Sequence, residues 1–118
     1  MTSSDGSLTT PGESLNHPRA YGAFPRKIKR YVLDSGILTL EQAIHSSSGL
    51  TASVFSIEDR GLIRAGYFAD VLVINLDTIK DRATYQKPEI LSEGMDYVIV
   101  NGRTAIDAGK LATEQDCC

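Results

Sequence analysis

Cysteine is confined to the last two positions of this 118-residue chain, Cys117 and Cys118. A disulfide framework needs separated cysteines and a metal knuckle needs a CxxC-type spacing, so the pair supports neither. It reads as two free thiols on a frayed tail, in keeping with a reducing, cytoplasmic setting. Histidine is equally scarce: with only His17 and His45, the chain offers no set of three protein ligands for a zinc ion. No run of about 18 apolar residues is present, which excludes a spanning helix. Residues 1–10 lack the basic-then-apolar order of a signal peptide. Basic residues are not in excess, and a net charge of −3 gives no electrostatic reason to expect nucleic acid or an anionic membrane as partner. Internal repeats and heptads are absent as well.

What remains has the make-up of an ordinary soluble domain, 42% hydrophobic and 23% charged, with length for one modest core. Residues 1–23 are rich in Ser, Thr, Gly, Pro, Asn and Asp and read as loop, disordered if alone in water. A helix is predicted from Phe24 or Pro25, because proline suits the first helical position. Ile28, Tyr31 and Val32, with the neighbouring Leu33, form its apolar stripe, and Gly36 ends it. Arg26, Lys27, Lys29 and Arg30 surround the rest of that turn. With no second basic patch to support a phosphate site, they read as a solvated face. Thr39 and Gln42 make a capping box for a second helix, which carries Leu40, Ala43, Ile44 and Ser47 and is predicted to end at Gly49. Thr51 is read as the cap of a third, through about Phe55. His45 has no partner at i±4 and reads as a surface or packed residue rather than a ligand.

Strand signals follow. Asp59-Arg60-Gly61 and Ala65-Gly66 are turns flanking Leu62 and Ile63. Val71–Ile74 is apolar at every position, so both of its faces are expected to be covered. Residues 77–94 return to loop chemistry, with a short helical turn expected near Thr78–Ala83. Tyr97–Val100, Asn101-Gly102 and Thr104–Ile106 form the clearest hairpin signal, since Asn-Gly tolerates the two positive φ angles of a type I′ turn. Ala108-Gly109 then turns into Lys110-Leu111. Helices followed by strands make an α+β order, although three or four short strands scarcely supply a second sheet.

Several motifs run in one order: Ser4-Asp5-Gly6, His17-Pro18-Arg19-Ala20-Tyr21-Gly22, Phe24-Pro25-Arg26, Asp59-Arg60-Gly61-Leu62-Ile63, Gly66 with Ala69-Asp70, and Val100-Asn101-Gly102. From Ser4 to about Leu111 this succession resembles the C-terminal part of the N-acyl-D-amino-acid deacylases. These form the D-aminoacylase branch of the metal-dependent amidohydrolase superfamily. The Gly66/Ala69-Asp70 strand and the Asn-Gly hairpin are common across amidohydrolases, whereas the Ser-Asp-Gly, His-Pro-Arg, Phe-Pro-Arg succession is particular to the deacylase branch. The resemblance implies a fold, a (β/α)8 barrel with a small β-sandwich built from both chain ends. A whole barrel needs about 250 residues, so residues 1–57 are expected to be the incomplete C-terminal end of the barrel, with helices over about 24–55. Residues 58–111 are then strands of the β-sandwich and 112–118 a disordered tail.

The resemblance also implies roles. Asp5 matches the aspartate that takes a proton from the metal-activated water and passes it to the leaving amine. Arg19 matches an arginine that grips the substrate's α-carboxylate, a task for a planar fork of donors. His17 and Tyr21 match positions that shape the loop. Taken without the resemblance, Asp5 in Ser-Asp-Gly is an Asx-turn residue. Zinc serves the full-length family, but the family's N-terminal histidine pair, its cysteine or glutamate and its later histidines have no counterpart here, so none is expected to bind this chain. Only Met1-Thr2-Ser3 stand where the family has an apolar strand, and Ala65 stands where proline is usual.

The expected function is the C-terminal part of a hydrolase cleaving the amide bond of N-acyl-D-amino acids, inactive as this chain alone. A reading of a different class is a non-catalytic structural or interaction module. It would form a homo-oligomer or complement a separate N-terminal barrel chain, an association that an apolar strand with an open edge favours. A metal-free hydrolase using Asp5 and His17 would lack rigid support for its two residues.

Overall fold

Proline 18 opens the first helix. In the computed structural model, which describes residues 1–7 and 17–112, its carbonyl accepts from the amides of Tyr21 and Gly22 at 3.1 and 3.0 Å. Helix α1 spans Arg19–Lys27, so it starts earlier than expected and Pro25 is buried inside it. A proline within a helix leaves the carbonyl four residues back without its donor. Here that carbonyl belongs to Tyr21, and Ser92 Oγ donates to it at 2.9 Å. The cysteine tail, Cys117 and Cys118 included, lies outside the described residues.

Beyond Lys27 the helix widens into a π-helical stretch over Ile28–Asp34. Ser35 N–H reaches back to Arg30 O at 3.1 Å, and Gly36 at φ +61° ends the run as expected. Of the predicted stripe Ile28 is buried, Val32 half-buried, and Tyr31 and Leu33 exposed.

Helix α2, Leu40–His45, begins with the predicted capping box. Thr39 Oγ1 accepts from Gln42 N–H at 3.2 Å while Gln42 Oε1 accepts from Thr39 N–H at 3.0 Å. His45 is exposed. Gly49 begins α3, Gly49–Val54, instead of ending α2, and Thr51 lies within α3, its hydroxyl donating to Ser46 O at 3.3 Å. The serine run explains both differences. Ser46, Ser47 and Ser48 donate through Oγ to Ala43 O, Ala43 O and Ile44 O at 3.1, 3.0 and 2.9 Å, closing α2 without a glycine.

Four strands, β1 Val71–Ile74, β2 Met95–Val100, β3 Arg103–Asp107 and β4 Lys110–Leu111, form one antiparallel sheet in chain order. The chain is therefore α+β. Asn101 and Gly102 have φ of +52° and +78°, Ala108 and Gly109 of +45° and +77°, so both predicted turns have the two positive φ angles of type I′. The helical turn expected near Thr78–Ala83 is a single turn set earlier, Ile79 N–H bonding Asn75 O at 2.9 Å, and it does not continue to Ala83. Lys80 and Glu93 instead exchange backbone bonds at 3.2 and 2.9 Å, which closes the loop between β1 and β2.

Among the described residues the buried apolar side chains are few and mostly small: Ile28, Ala43, Ala52, Ile79 and Ala83, beside Pro25 within α1. β1 departs from expectation, because Leu72 and Val73 remain 59% and 46% exposed. Among the described residues no second sheet stacks on it, and four short strands supply only one layer.

Candidate functional site

Arg19 is the first residue of α1, and its Nη1 lies 3.1 Å from Asp5 Oδ2. The two residues singled out by the motif succession are thus brought together. Serine chemistry builds the approach: Ser3 Oγ accepts from Asp5 N–H at 3.2 Å and Ser4 Oγ from Gly6 N–H at 3.1 Å. These serines, rather than the Asp5 side chain, make the turns, which leaves the Asp5 carboxylate free to meet Arg19. Asp5 itself is left-handed, at φ +50°. Gly6 then runs so close to the helix that a Cβ there would stand 3.1 Å from Ala20 Cα.

His17 fixes the other half. Its Nδ1 accepts from Arg19 N–H at 3.0 Å, satisfying a helix N-terminal donor, and its ring meets Tyr85 edge-on at 5.1 Å between centroids. His17 therefore acts on the backbone that carries Arg19, a loop-shaping arrangement. Tyr21 contributes the carbonyl that Ser92 supports.

The site is open. Asp5 and Arg19 side chains are 87% and 45% exposed, and neither lines the two clefts of about 430 and 470 Å³ found elsewhere on the surface. Among the described residues no three of His, Cys, Asp and Glu converge. The Asp5 carboxylate faces a guanidinium, and His17 Nδ1 is already taken by a backbone N–H. The residues present do not fit a three-ligand zinc site.

Three of the other motifs converge on a joint at the start of the sheet. The Asp70 carboxylate accepts from Asn101 N–H at 2.8 Å and from Arg60 Nη1, while Arg60 Nη2 reaches Asn101 Oδ1. Gly102 N–H bonds Ala69 O at 2.9 Å, and the Arg60 guanidinium lies 4.2 Å above the Phe68 ring. The Asn101 amide first, and then Arg60, hold the Asp70 carboxyl below the usual carboxylate range. These motif residues clasp the β2–β3 turn to the entry of β1.

Lys27 was legible only as one of four basic residues on a helix face. In the structure its ammonium turns inward onto Thr2, Ala43, Ser46 and Ser47. Among the described residues no helix is long and apolar enough to cross a membrane.

The chain is similar to known proteins in both sequence and fold. The profile of the amidohydrolase family matches residues 1–106. The N-acyl-D-glutamate deacylase of Alcaligenes xylosoxydans xylosoxydans is 43% identical over 102 residues, 86% of this chain and 20% of the relative. A D-aminoacylase crystal structure matches with a TM-score of 0.78 at 37% identity, over 86% of this chain and 21% of that one. The N-acyl-D-glutamate deacylase of Bordetella bronchiseptica, solved with zinc and a phosphonate that mimics the reaction's tetrahedral intermediate, gives a TM-score of 0.73 at 39% identity, over 80% and 21%. The chain spans about a fifth of the length of the relatives it matches.

Proposed function

Because the chain belongs to the amidohydrolase family, we propose that it is the C-terminal piece of an N-acyl-D-amino-acid deacylase, contributing an aspartate and an arginine to that active site. Residues 1–57 would complete the barrel and residues 58–111 would add strands to the small β-sandwich. The observation that carries this reading is the 3.1 Å pairing of Asp5 with Arg19, both within the residues 1–106 that match the amidohydrolase family.

Asp5 is the proton carrier, taking a proton from the attacking water and delivering it to the leaving amine. Arg19 is the carboxylate grip: in the chain alone its fork holds the Asp5 carboxylate, the same chemical group that a substrate's α-carboxylate would present. No step through a metal follows from these residues, because they do not form its site. The isolated chain is therefore inactive.

The test is a chimera in which residues 1–106 replace the matching fifth of the Alcaligenes deacylase. It should release D-amino acid from an N-acyl-D-amino acid. Asp5→Asn should lower kcat by about 10²–10⁴-fold, and Arg19→Lys should act mainly on KM. A chimera that folds and binds metal but is indifferent to Asp5→Asn would end this reading, and so would turnover by the 118-residue chain alone.

A second reading has its own observation, the uncovered β1 with Leu72 and Val73 exposed. It is an interaction module that self-associates or joins a separate barrel chain. Sedimentation of the purified chain distinguishes it, a compact monomer at every concentration counting against it.

A further inference from the structure

Lys27 differs from the other basic residues around it. Arg26 pairs with Asp81 at 3.1 Å and Lys29 with Asp34 at 2.7 Å, each an ion pair at the surface. The Lys27 ammonium instead donates to neutral oxygens: Thr2 Oγ1 at 2.5 Å, Ser46 Oγ at 2.6 Å, and Ala43 O and Ser47 Oγ at 2.9 Å. These oxygens belong to two separate parts of the chain, the N-terminal segment and the junction of α2 with α3, and the lysine itself closes α1. Thr2 is tied a second time, its N–H donating to Ser46 O at 2.9 Å.

An ammonium that loses water must have its protons satisfied by the protein. Four oxygens more than satisfy three N–H groups, so the cage replaces hydration without a counter-charge. Burial draws the Lys27 ammonium below the ordinary lysine range, the direction expected of a cage that lacks a carboxylate. The dependence runs both ways. Thr2 supplies part of the lysine's hydrogen bonding, and the lysine gives the N-terminal segment its charge-assisted anchor.

Asp5 lies just beyond that anchor. Thr2 fixes one side of it and the contact of Gly6 with Ala20 fixes the other, with the Ser3 and Ser4 turns between. We propose that Lys27 is a positioning residue, which holds the N-terminal segment against α1 so that the Asp5 carboxylate meets Arg19. The structural part of this proposal stands on the geometry alone; its consequence for catalysis rests on the role assigned to Asp5 above.

The test is NMR on the full 118-residue chain. The wild-type chain should show contacts between Gly6 and the Ala20 methyl, and restrained ¹⁵N relaxation over residues 2–6. Lys27→Met should abolish both while helical circular dichroism persists. If Lys27→Met does not fold, Thr2→Val decides, since it removes one oxygen of the cage and keeps the side chain's shape; it should loosen the same residues. Retention of the Gly6–Ala20 contacts in a folded variant would overturn the proposal. In the deacylase chimera, Lys27→Met should lower kcat by roughly ten- to a hundred-fold with KM little changed; a rise confined to KM would also overturn it. An inactive wild-type chimera would sink the catalytic reading of Asp5 while leaving the NMR result to judge Lys27.

Discussion

Water screens the Asp5–Arg19 pair, since Asp5 is 87% exposed, and pairs of this kind contribute little to stability. Their apposition is thus a matter of positioning by serine turns, Gly6 and His17 rather than of ionic attraction. The Asp70 carboxylate is different, because a backbone N–H and a guanidinium both favour its charged form. Its folded pKa lies below the unfolded value of about 3.9. The stabilisation is then fully present above that unfolded value and is lost as pH falls through the folded one. Thermal melts of the wild-type chain should therefore hold down to about pH 3.9 as far as Asp70 is concerned and fall below it, whereas Asp70→Asn should start lower at pH 7 and fall less over the acid interval. Parallel pH profiles for the two chains would show that Asp70 does not contribute.

Among the elements, α2 depends on one hydroxyl. Thr39 Oγ1 accepts from Gln42 N–H, and the Glu41 backbone N–H first, then the Thr39 hydroxyl, hold the Glu41 carboxyl below its ordinary range. Thr39→Ala should cost about 1 kcal/mol in denaturant unfolding, with Gln42→Ala costing less. The β1–β2 loop depends on Gly94, at φ +81°, where a Cβ would stand 2.4 Å from Ile79 Cα. Since Ile79 is among the few buried side chains, Gly94→Ala should cost about 2–4 kcal/mol, and a loss under 1 kcal/mol would contradict the packing described. The capping box and the Asn-Gly hairpin could be read from sequence because each is complete within a few residues. The start of α1 could not. Pro25 is tolerated inside the helix through Ser92, 71 residues from Tyr21, and spacing rules do not register a partner that distant. The site divides in the same way. Motif order picked out Asp5 and Arg19, but the inward turn of Lys27 depends on Ser46 and Ser47 arriving from another helix.

At the scale of the whole molecule, the described residues carry more large apolar side chains outside than in. Beside Pro25, the buried apolar residues among them are three alanines, Ile28 and Ile79, while Ile63 is 89% exposed and Phe55 63%. A core of that size offers little transfer free energy against the entropy of ordering the chain, so the surface that would repay it has to be buried elsewhere. β1 is where association should begin. Among the described strands it pairs only with β2, and its exposed Leu72 and Val73 flank an open edge. Sedimentation velocity from about 1 to about 100 μM should show the weight-average mass rising with concentration, as mass action requires. Leu72→Lys adds a charge to the open edge without disturbing a buried contact, and should move the distribution towards monomer. Addition of the complementary four-fifths of a deacylase should do the same by covering the strand. Association that persists equally in Leu72→Lys would place the sticky surface at Phe55 and Ile63, on the helical side, and remove β1 from the account.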